Sequence, residues 1–208
     1  MEPWRFALAL LADSYGNEKA VSLAGEFWPL RRDLFNAVAA SMELAPLTTS
    51  CGRLFDAVSA LLGIRDAVSY DGQAAMELES IAKGAKHETP FEIFRENDLV
   101  LLDWRPAIRW IVQEGIRLGP ERASAAFHLG LARAVSNIAL EISEKTGLKK
   151  AFLSGGVWQN RRFSSITQAL LKRNGLRPYS HLSLSPNDEC ISVGQAVIGS
   201  WHWGPNKK

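Results

Sequence analysis

The residues best placed to do chemistry are those of Leu153-Ser-Gly-Gly-Val-Trp-Gln-Asn160. Lys150-Ala-Phe-Leu153 reads as a short buried apolar strand. Gly155 and Gly156 remove side chains from the turn after it, and Asn160-Arg-Arg-Phe163 opens a helix running on through Leu170 and Leu171. Backbone without Cβ atoms admits a ligand closely, and free N–H groups in a helix's first turn favour an anion. The pattern suits a nucleotide; it also suits a plain tight turn.

Three further groups carry candidate chemistry. Asp56 stands among apolar neighbours, Leu54-Phe55 before it and Ala57-Val58 after it, near the start of a helix. It is either a solvated carboxylate or an acceptor for sugar hydroxyls. Asp188, at the end of Leu184-Ser-Pro-Asn-Asp188, precedes a helix and serves either as a simple cap or as a functional carboxylate. Glu77 and Glu79 lie two apart on one helix and point to different faces, so they are no acid/base pair. His128 lies on an apolar stripe and reads as a core histidine rather than a ligand.

The elements that must hold these residues are mostly helical. Residues 4–13 form an apolar helix with Pro3 at its first turn, where a missing N–H costs nothing. A second helix spans Leu30 to Ala40, with Leu30, Leu34 and Val38 inward and Arg31, Arg32 and Asp33 toward solvent. A third runs from Cys51, capped by Thr49 or Ser50, with Leu54, Val58, Leu61 and Leu62 toward the core, and ends at Gly63. Tyr70-Asp-Gly-Gln73 is a turn leading into a helix over residues 74–82. Phe91 to Leu102 reads as a β-hairpin with the four-residue loop Arg95-Glu-Asn-Asp98. Asp103 caps a helix from Pro106 to Leu118; Gly119-Pro120 breaks it, and Glu121 to Lys145 forms a long helix ended by Gly147. A helix to about Lys172, a short strand Arg177–His181 and a last helix Ile191–Trp201 complete an α/β pattern. No internal repeat or linker interrupts it, so residues 1–208 read as a single unit.

Composition narrows the partners. Apolar residues make up 47% of the 208, enough for a proper core. A formal charge of +2 with no basic cluster outside the tail argues against nucleic acid as the main partner. No apolar run approaches the roughly 20 residues that span a bilayer, and the N-terminus has no secretory pattern, so a cytoplasmic protein without membrane contact is expected. Two cysteines, Cys51 and Cys190, are too few for a disulfide framework or a CxxC knuckle. The seven tryptophans are scattered and read as packing residues.

Taken together, several segments resemble the C-terminal part of the HypF carbamoyltransferases, which mature nickel–iron hydrogenases. They are Glu2-Pro-Trp-Arg5, the run from Ala45-Pro-Leu-Thr-Thr-Ser-Cys-Gly-Arg53 to Gly63, Tyr70-Asp-Gly-Gln-Ala-Ala-Met-Glu-Leu-Glu79, Leu102-Asp-Trp-Arg-Pro106, Leu153-Ser-Gly-Gly-Val-Trp-Gln-Asn-Arg161, and Pro186-Asn-Asp188 with Gly194-Gln195. They occur in order along the whole chain. The resemblance implies the second half of an ASKHA (actin-like ATPase) domain, helix-rich with a small mixed sheet, similar to the tRNA threonylcarbamoyl transferases. It implies transfer of a carbamoyl group from a carbamoyl adenylate, made from carbamoyl phosphate and ATP, to the C-terminal cysteine of the partner HypE.

By the same resemblance, adenosine would lie against Gly155 and Gly156 and bond to Asn160. Asp56 would take the ribose hydroxyls, and backbone around Gly52, Gly72 and Gln73 would line the cleft. Asp188, or its neighbour Asn187, would ligate a divalent metal on the phosphate side. Set against the family, the chain is expected to lack the acylphosphatase-like, zinc-binding and YrdC-like modules and the first ASKHA half. None of its four histidines forms an H-x-x-x-H pair, and Glu189-Cys190 stands where two glycines are expected. The implied expectation is an enzyme segment incomplete alone, working with a separate N-terminal HypF half or as a homodimer. Alternatives are a non-catalytic interaction module or an inactive truncated fragment, and, further off, a small-molecule O-carbamoyltransferase of the antibiotic-tailoring kind.

Overall fold

The computed structural model describes residues 2–84, 86–97 and 99–203. Helix α1 (Pro3–Tyr15) is apolar nearly all round because it is packed nearly all round: Trp4, Ala7, Leu8, Leu10 and Leu11 are all buried. Gly16, at φ +84°, ends it and starts α2 (Asn17–Phe27), a helix that the residue pattern did not announce. The expected second helix begins later than its spacing suggested. Pro29 opens a 3-10 turn, Pro29–Arg31, and only then does α3 (Arg32–Ser41) follow. The tighter turn shifts the helical phase. Leu30 is fully exposed at 100% and Leu34 is exposed, while Phe35 and Val38 face the core. Nor is Arg31 a purely solvated residue: it lies over the Trp4 ring and pairs with Glu2 and Asp66.

Helix α4 (Cys51–Leu61) buries Leu54, Phe55, Val58 and Leu61 against α1, and Gly63 leaves it in the left-handed region at φ +69°. Ser50 occupies the N-cap position, but its side chain makes no capping bond. A turn with Gly72 at φ +79° leads into α5 (Gln73–Ile81), which packs on α4.

Strands β1 (Glu92–Glu96) and β2 (Leu99–Asp103) form the expected hairpin. Glu96 pairs with Leu99, however, so the loop has two residues rather than four, and Asn97 takes φ +47° to make it. Asp103 then receives the N–H of Arg105 at 2.9 Å and its guanidinium on both oxygens. The chain continues through α6 (Arg105–Trp110), a π turn Ile111–Gly115, α7 (Ile116–Leu118), the break at Gly119 and the long α8 (Pro120–Thr146).

A parallel pair follows, β3 (Lys150–Leu153) and β4 (Arg177–Ser180), joined by the crossover helix α9 (Arg161–Arg173) as a parallel connection requires. The fold is the expected helix-rich α/β class, but among the described residues its sheet content is two separate two-stranded sheets, one antiparallel and one parallel, rather than one mixed sheet. Nor is β3 buried along its length: α9 covers only one face, so Leu153 is buried while Phe152 is 74% exposed and stacks on Tyr179 of β4. The last helix, α10 (Ile191–Trp203), leaves Ile191, Val193, Val197, Ile198 and Trp201 exposed. Among the described residues no helix is long and apolar enough to cross a membrane.

The main core joins α1 through α6 to α8 and α9. At its centre Phe55 of α4 meets Phe127 of α8 and Phe163 of α9 edge to face, with centroids 5.0 and 5.8 Å apart. This aromatic junction fixes the helices that carry the site residues relative to one another.

Candidate functional site

The glycine turn is built as a platform open on one side. Beyond β3, Gly155 takes φ +107°, and its N–H donates to Pro186 O at 2.7 Å. A Cβ at Gly155 would meet nothing within 4 Å, so glycine is needed there for its dihedral angle and not for lack of room. At Gly156 the one neighbour that near is Asn187 Cβ, 3.9 Å away. A 3-10 turn, Gly156–Gln159, leads to Asn160, whose Oδ1 accepts the Phe163 N–H at 2.8 Å and caps α9.

Two more bonds tie residues 181–188 to this turn. The His181 Nε2 and Ser154 Oγ lie 3.0 Å apart, and Gln159 Nε2 donates to Ser185 Oγ at 3.1 Å. Asp188 is thereby carried beside the glycines. Its neighbour Asn187 spends Oδ1 on the Glu189 N–H at 3.1 Å, so the local cap is asparagine's, while the Asp188 carboxylate is exposed. Glu189 is exposed and Cys190 half-buried just beyond it.

The first turn of α9 is less available to an external anion than the glycine pattern suggested. Glu79 reaches across from α5 and accepts the Arg162 N–H at 3.0 Å, and Asn160 takes that of Phe163. The protein thus supplies its own carboxylate where the helix dipole favours one. Glu77 is engaged elsewhere, with the Arg65 guanidinium at 2.8 and 2.9 Å, so the two glutamates serve separate networks.

A second group of candidates gathers on α4 and the turn before α5. Asp56 is only 6% exposed, which removes the solvated-face reading. Burial pushes its carboxyl pKa up; the Arg53 guanidinium at 3.1 Å pulls it down, and the Asp71 carboxylate pushes it up again. Gly52 lies one turn earlier on the same helix, and Gly72 adjoins Asp71. The Gln73 side chain is already committed: Oε1 accepts from the Ser69 N–H and hydroxyl, and Nε2 donates to Glu77. Its backbone N–H also donates, to Tyr70 O at 3.5 Å. The structure therefore gathers Gly155, Gly156, Asn160 and Asp188 in one loop cluster. Gly52, Asp56, Gly72 and Gln73 form a second, and α4 packs against the Gly156–Gln159 turn between them.

His128 is fully buried between Phe55 and Phe127 and is the core histidine its stripe implied. Its contact with Asn160, Nε2 to Nδ2 at 3.0 Å, was not legible in the sequence, and neither was the Glu79 bond to Arg162. Both bonds join residues far apart in the chain; the one local signal was Asn160 itself, a capping residue set before a helix.

Among the described residues, no three of His, Cys, Asp or Glu come together as a metal site would require. The Cys51 thiol, pushed up to about 11 by burial, is no nucleophile at neutral pH.

With that geometry in view, the chain matches a family model described as the second subdomain of the Kae1-like domain of carbamoyltransferases, over residues 1–195. It is 30% identical to the carbamoyltransferase HypF of a Synechocystis strain, over 94% of this chain and 27% of that protein. It is 34% identical to that of Rhodobacter capsulatus, over 96% of this chain and 26% of the other. Among solved structures, full-length HypF in its phosphate- and nucleotide-bound form superposes with a TM-score of 0.84 at 30% identity, over 98% of this chain and 27% of that one. The chain thus spans about a quarter of the length of these relatives.

Proposed function

Because the chain belongs to the HypF carbamoyltransferase family, as the second subdomain of its Kae1-like domain, we propose that it forms one wall of a site passing a carbamoyl group from a carbamoyl adenylate to the C-terminal cysteine of HypE. The observation that carries this reading is the stitching of the Gly155–Gly156 turn to Pro186 and Ser185, just ahead of Asp188. It sets an open glycine surface, a capping asparagine and a carboxylate side by side. The nucleotide-bound relative supports the choice of a nucleotide as occupant.

Each residue then has a defined task. Gly155 and Gly156 let the adenosine approach the backbone, and Asn160 offers it a hydrogen bond. Asp56, held by Arg53, takes ribose hydroxyls, and the backbone at Gly52, Gly72 and Gln73 borders the same cleft. The partner's thiolate attacks the carbamoyl carbon, the bond from that carbon to the phosphate oxygen breaks, and AMP leaves with the electron pair. The transfer needs no nucleophile from this chain, because the acceptor thiolate is the partner's.

One exposed carboxylate does not hold a divalent ion, so Asp188 is proposed as a single donor to a metal that other ligands must complete, and no step is routed through that ion. Those ligands would come from a first subdomain, on the same or another polypeptide. The exposed apolar side chains of α10 and the Phe152–Tyr179 pair favour association with such a partner or with a second copy.

The test is calorimetric titration with ATP, with and without Mg²⁺, on the wild-type chain and on Asp56→Ala and Asn160→Ala. Binding weakened at least about tenfold in both variants supports the adenosine site. Binding retained in both removes these residues from it, and no binding by the wild type refutes an autonomous half-site.

A further inference from the structure

His128 is a buried titratable group that the transfer chemistry does not use, yet its two nitrogens have unambiguous roles. Nδ1 lies 2.8 Å from the carbonyl oxygen of Ser124, which only accepts, so Nδ1 carries the proton. Nε2 of the neutral ring is then an acceptor, and the group facing it at 3.0 Å is Asn160 Nδ2. An independent bond gives the same orientation of the carboxamide: Oδ1 accepts from the Phe163 N–H at 2.8 Å, leaving the amide nitrogen toward the imidazole. Ser124 is itself anchored, its hydroxyl donating to Leu78 O at 2.6 Å. A continuous relay of donors and acceptors thus runs from α5 through α8 to the first turn of α9.

We propose that His128 is a positioning residue for the nucleotide contact at Asn160. The Nε2···Nδ2 bond holds the carboxamide in one orientation and leaves one Nδ2–H, fixed in place, for an acceptor atom of the nucleotide. The proposal rests on the reading of Asn160 as a nucleotide contact. Burial, reinforced by the nearby Arg162 guanidinium, pushes the imidazole down to about 4 and keeps Nε2 an acceptor at neutral pH. A protonated ring would set N–H against N–H. Asn160 would have to turn its oxygen to His128 and release the Phe163 N–H, so the ligand contact and the α9 cap depend on the same proton.

The experiment combines ATP titration with ¹⁵N NMR of the 208-residue chain as wild type, His128→Phe, His128→Gln, Asn160→Ala and the His128→Phe/Asn160→Ala double variant. His128→Phe keeps an aromatic ring and removes the acceptor. It should weaken ATP binding about tenfold, the value of one hydrogen bond. It should also move the Asn160 side-chain amide resonances and speed exchange of the Phe163 amide. The double variant should bind no more weakly than Asn160→Ala alone. His128→Gln, whose carboxamide oxygen can accept from Nδ2, should recover part of both signals and serves if the phenylalanine variant fails to fold. Unchanged Asn160 resonances and affinity in His128→Phe, or losses that add in the double variant, overturn the proposal. Wild-type affinity in Asn160→Ala would instead remove the nucleotide reading, and the resonances alone would then decide whether the pairing exists.

Discussion

Gly130 is where the packing of α8 is least forgiving. A Cβ built there would lie 2.2 Å from the carbonyl oxygen of Thr89, 2.5 Å from its hydroxyl and 2.9 Å from its N–H nitrogen. The closest atom is backbone of a segment that also donates the Thr89 N–H to Ala126 O at 3.1 Å. Gly130→Ala therefore forces the Thr89 segment off α8 by about 1 Å to reach ordinary contact, and the Thr89–Ala126 bond cannot survive that shift. The overpacking costs about 1–3 kcal/mol. Losing a buried hydrogen bond adds about 1 kcal/mol, while the better helix propensity of alanine returns about 1 kcal/mol. A net loss of about 2 kcal/mol is expected, read as a lower midpoint with unchanged slope in urea unfolding. The companion variant Thr89→Ala/Gly130→Ala should show no rescue, because the methyl meets the carbonyl and not only the hydroxyl. A midpoint at or above wild type for Gly130→Ala, or full rescue by Thr89→Ala, would refute the backbone-clash argument.

Other outcomes follow from the same geometry. Asp56→Asn should change stability by no more than about 1 kcal/mol, since burial opposes the charge and the Arg53 pair is half-exposed, while ATP affinity falls at least about tenfold; parallel unfolding and calorimetry check both halves. Gly155→Ala should destabilise by about 1–3 kcal/mol through its φ of +107° alone, and thermal unfolding would show it, since the added methyl meets no neighbour. For His128 the unfolded state binds more protons than the folded state between about pH 6.5 and 4, so its contribution is present above that window and lost as pH falls through it. The loss reaches about 3 kcal/mol near pH 4. Asp56 has the opposite sign, since its raised pKa favours the fold at low pH, so the comparison to make is wild type against His128→Gln, whose stability should be flatter across the window.

How much of this was legible in the sequence divides along a physical line. Features set by residues within a turn of one another were readable: Pro3 at the start of α1, the break at Gly119, the opening of α9 at Asn160, and Asp103 as the cap that follows the hairpin. Features set by what lies opposite in space were not. Leu30 and Phe35 are both large apolar residues of one segment, and only the phase shift imposed by the Pro29 turn decides which is buried. Apolar composition made Lys150–Leu153 look buried, yet among the described residues its burial is one-sided, with Leu153 covered and Phe152 exposed. The candidate site shows the same division. Its glycines and carboxylates carry a local signature and a family resemblance, whereas its orientation depends on Glu79 and His128, whose partners lie 83 and 32 positions away in sequence. Glu79 takes the helix-start donor that a phosphate could have used. On the proposed reading, a nucleotide on the Gly155–Gly156 surface would meet the carboxamide of Asn160 rather than the α9 dipole. The ligand's fit would then depend on the buried imidazole that holds that carboxamide, more than on any surface charge of this chain.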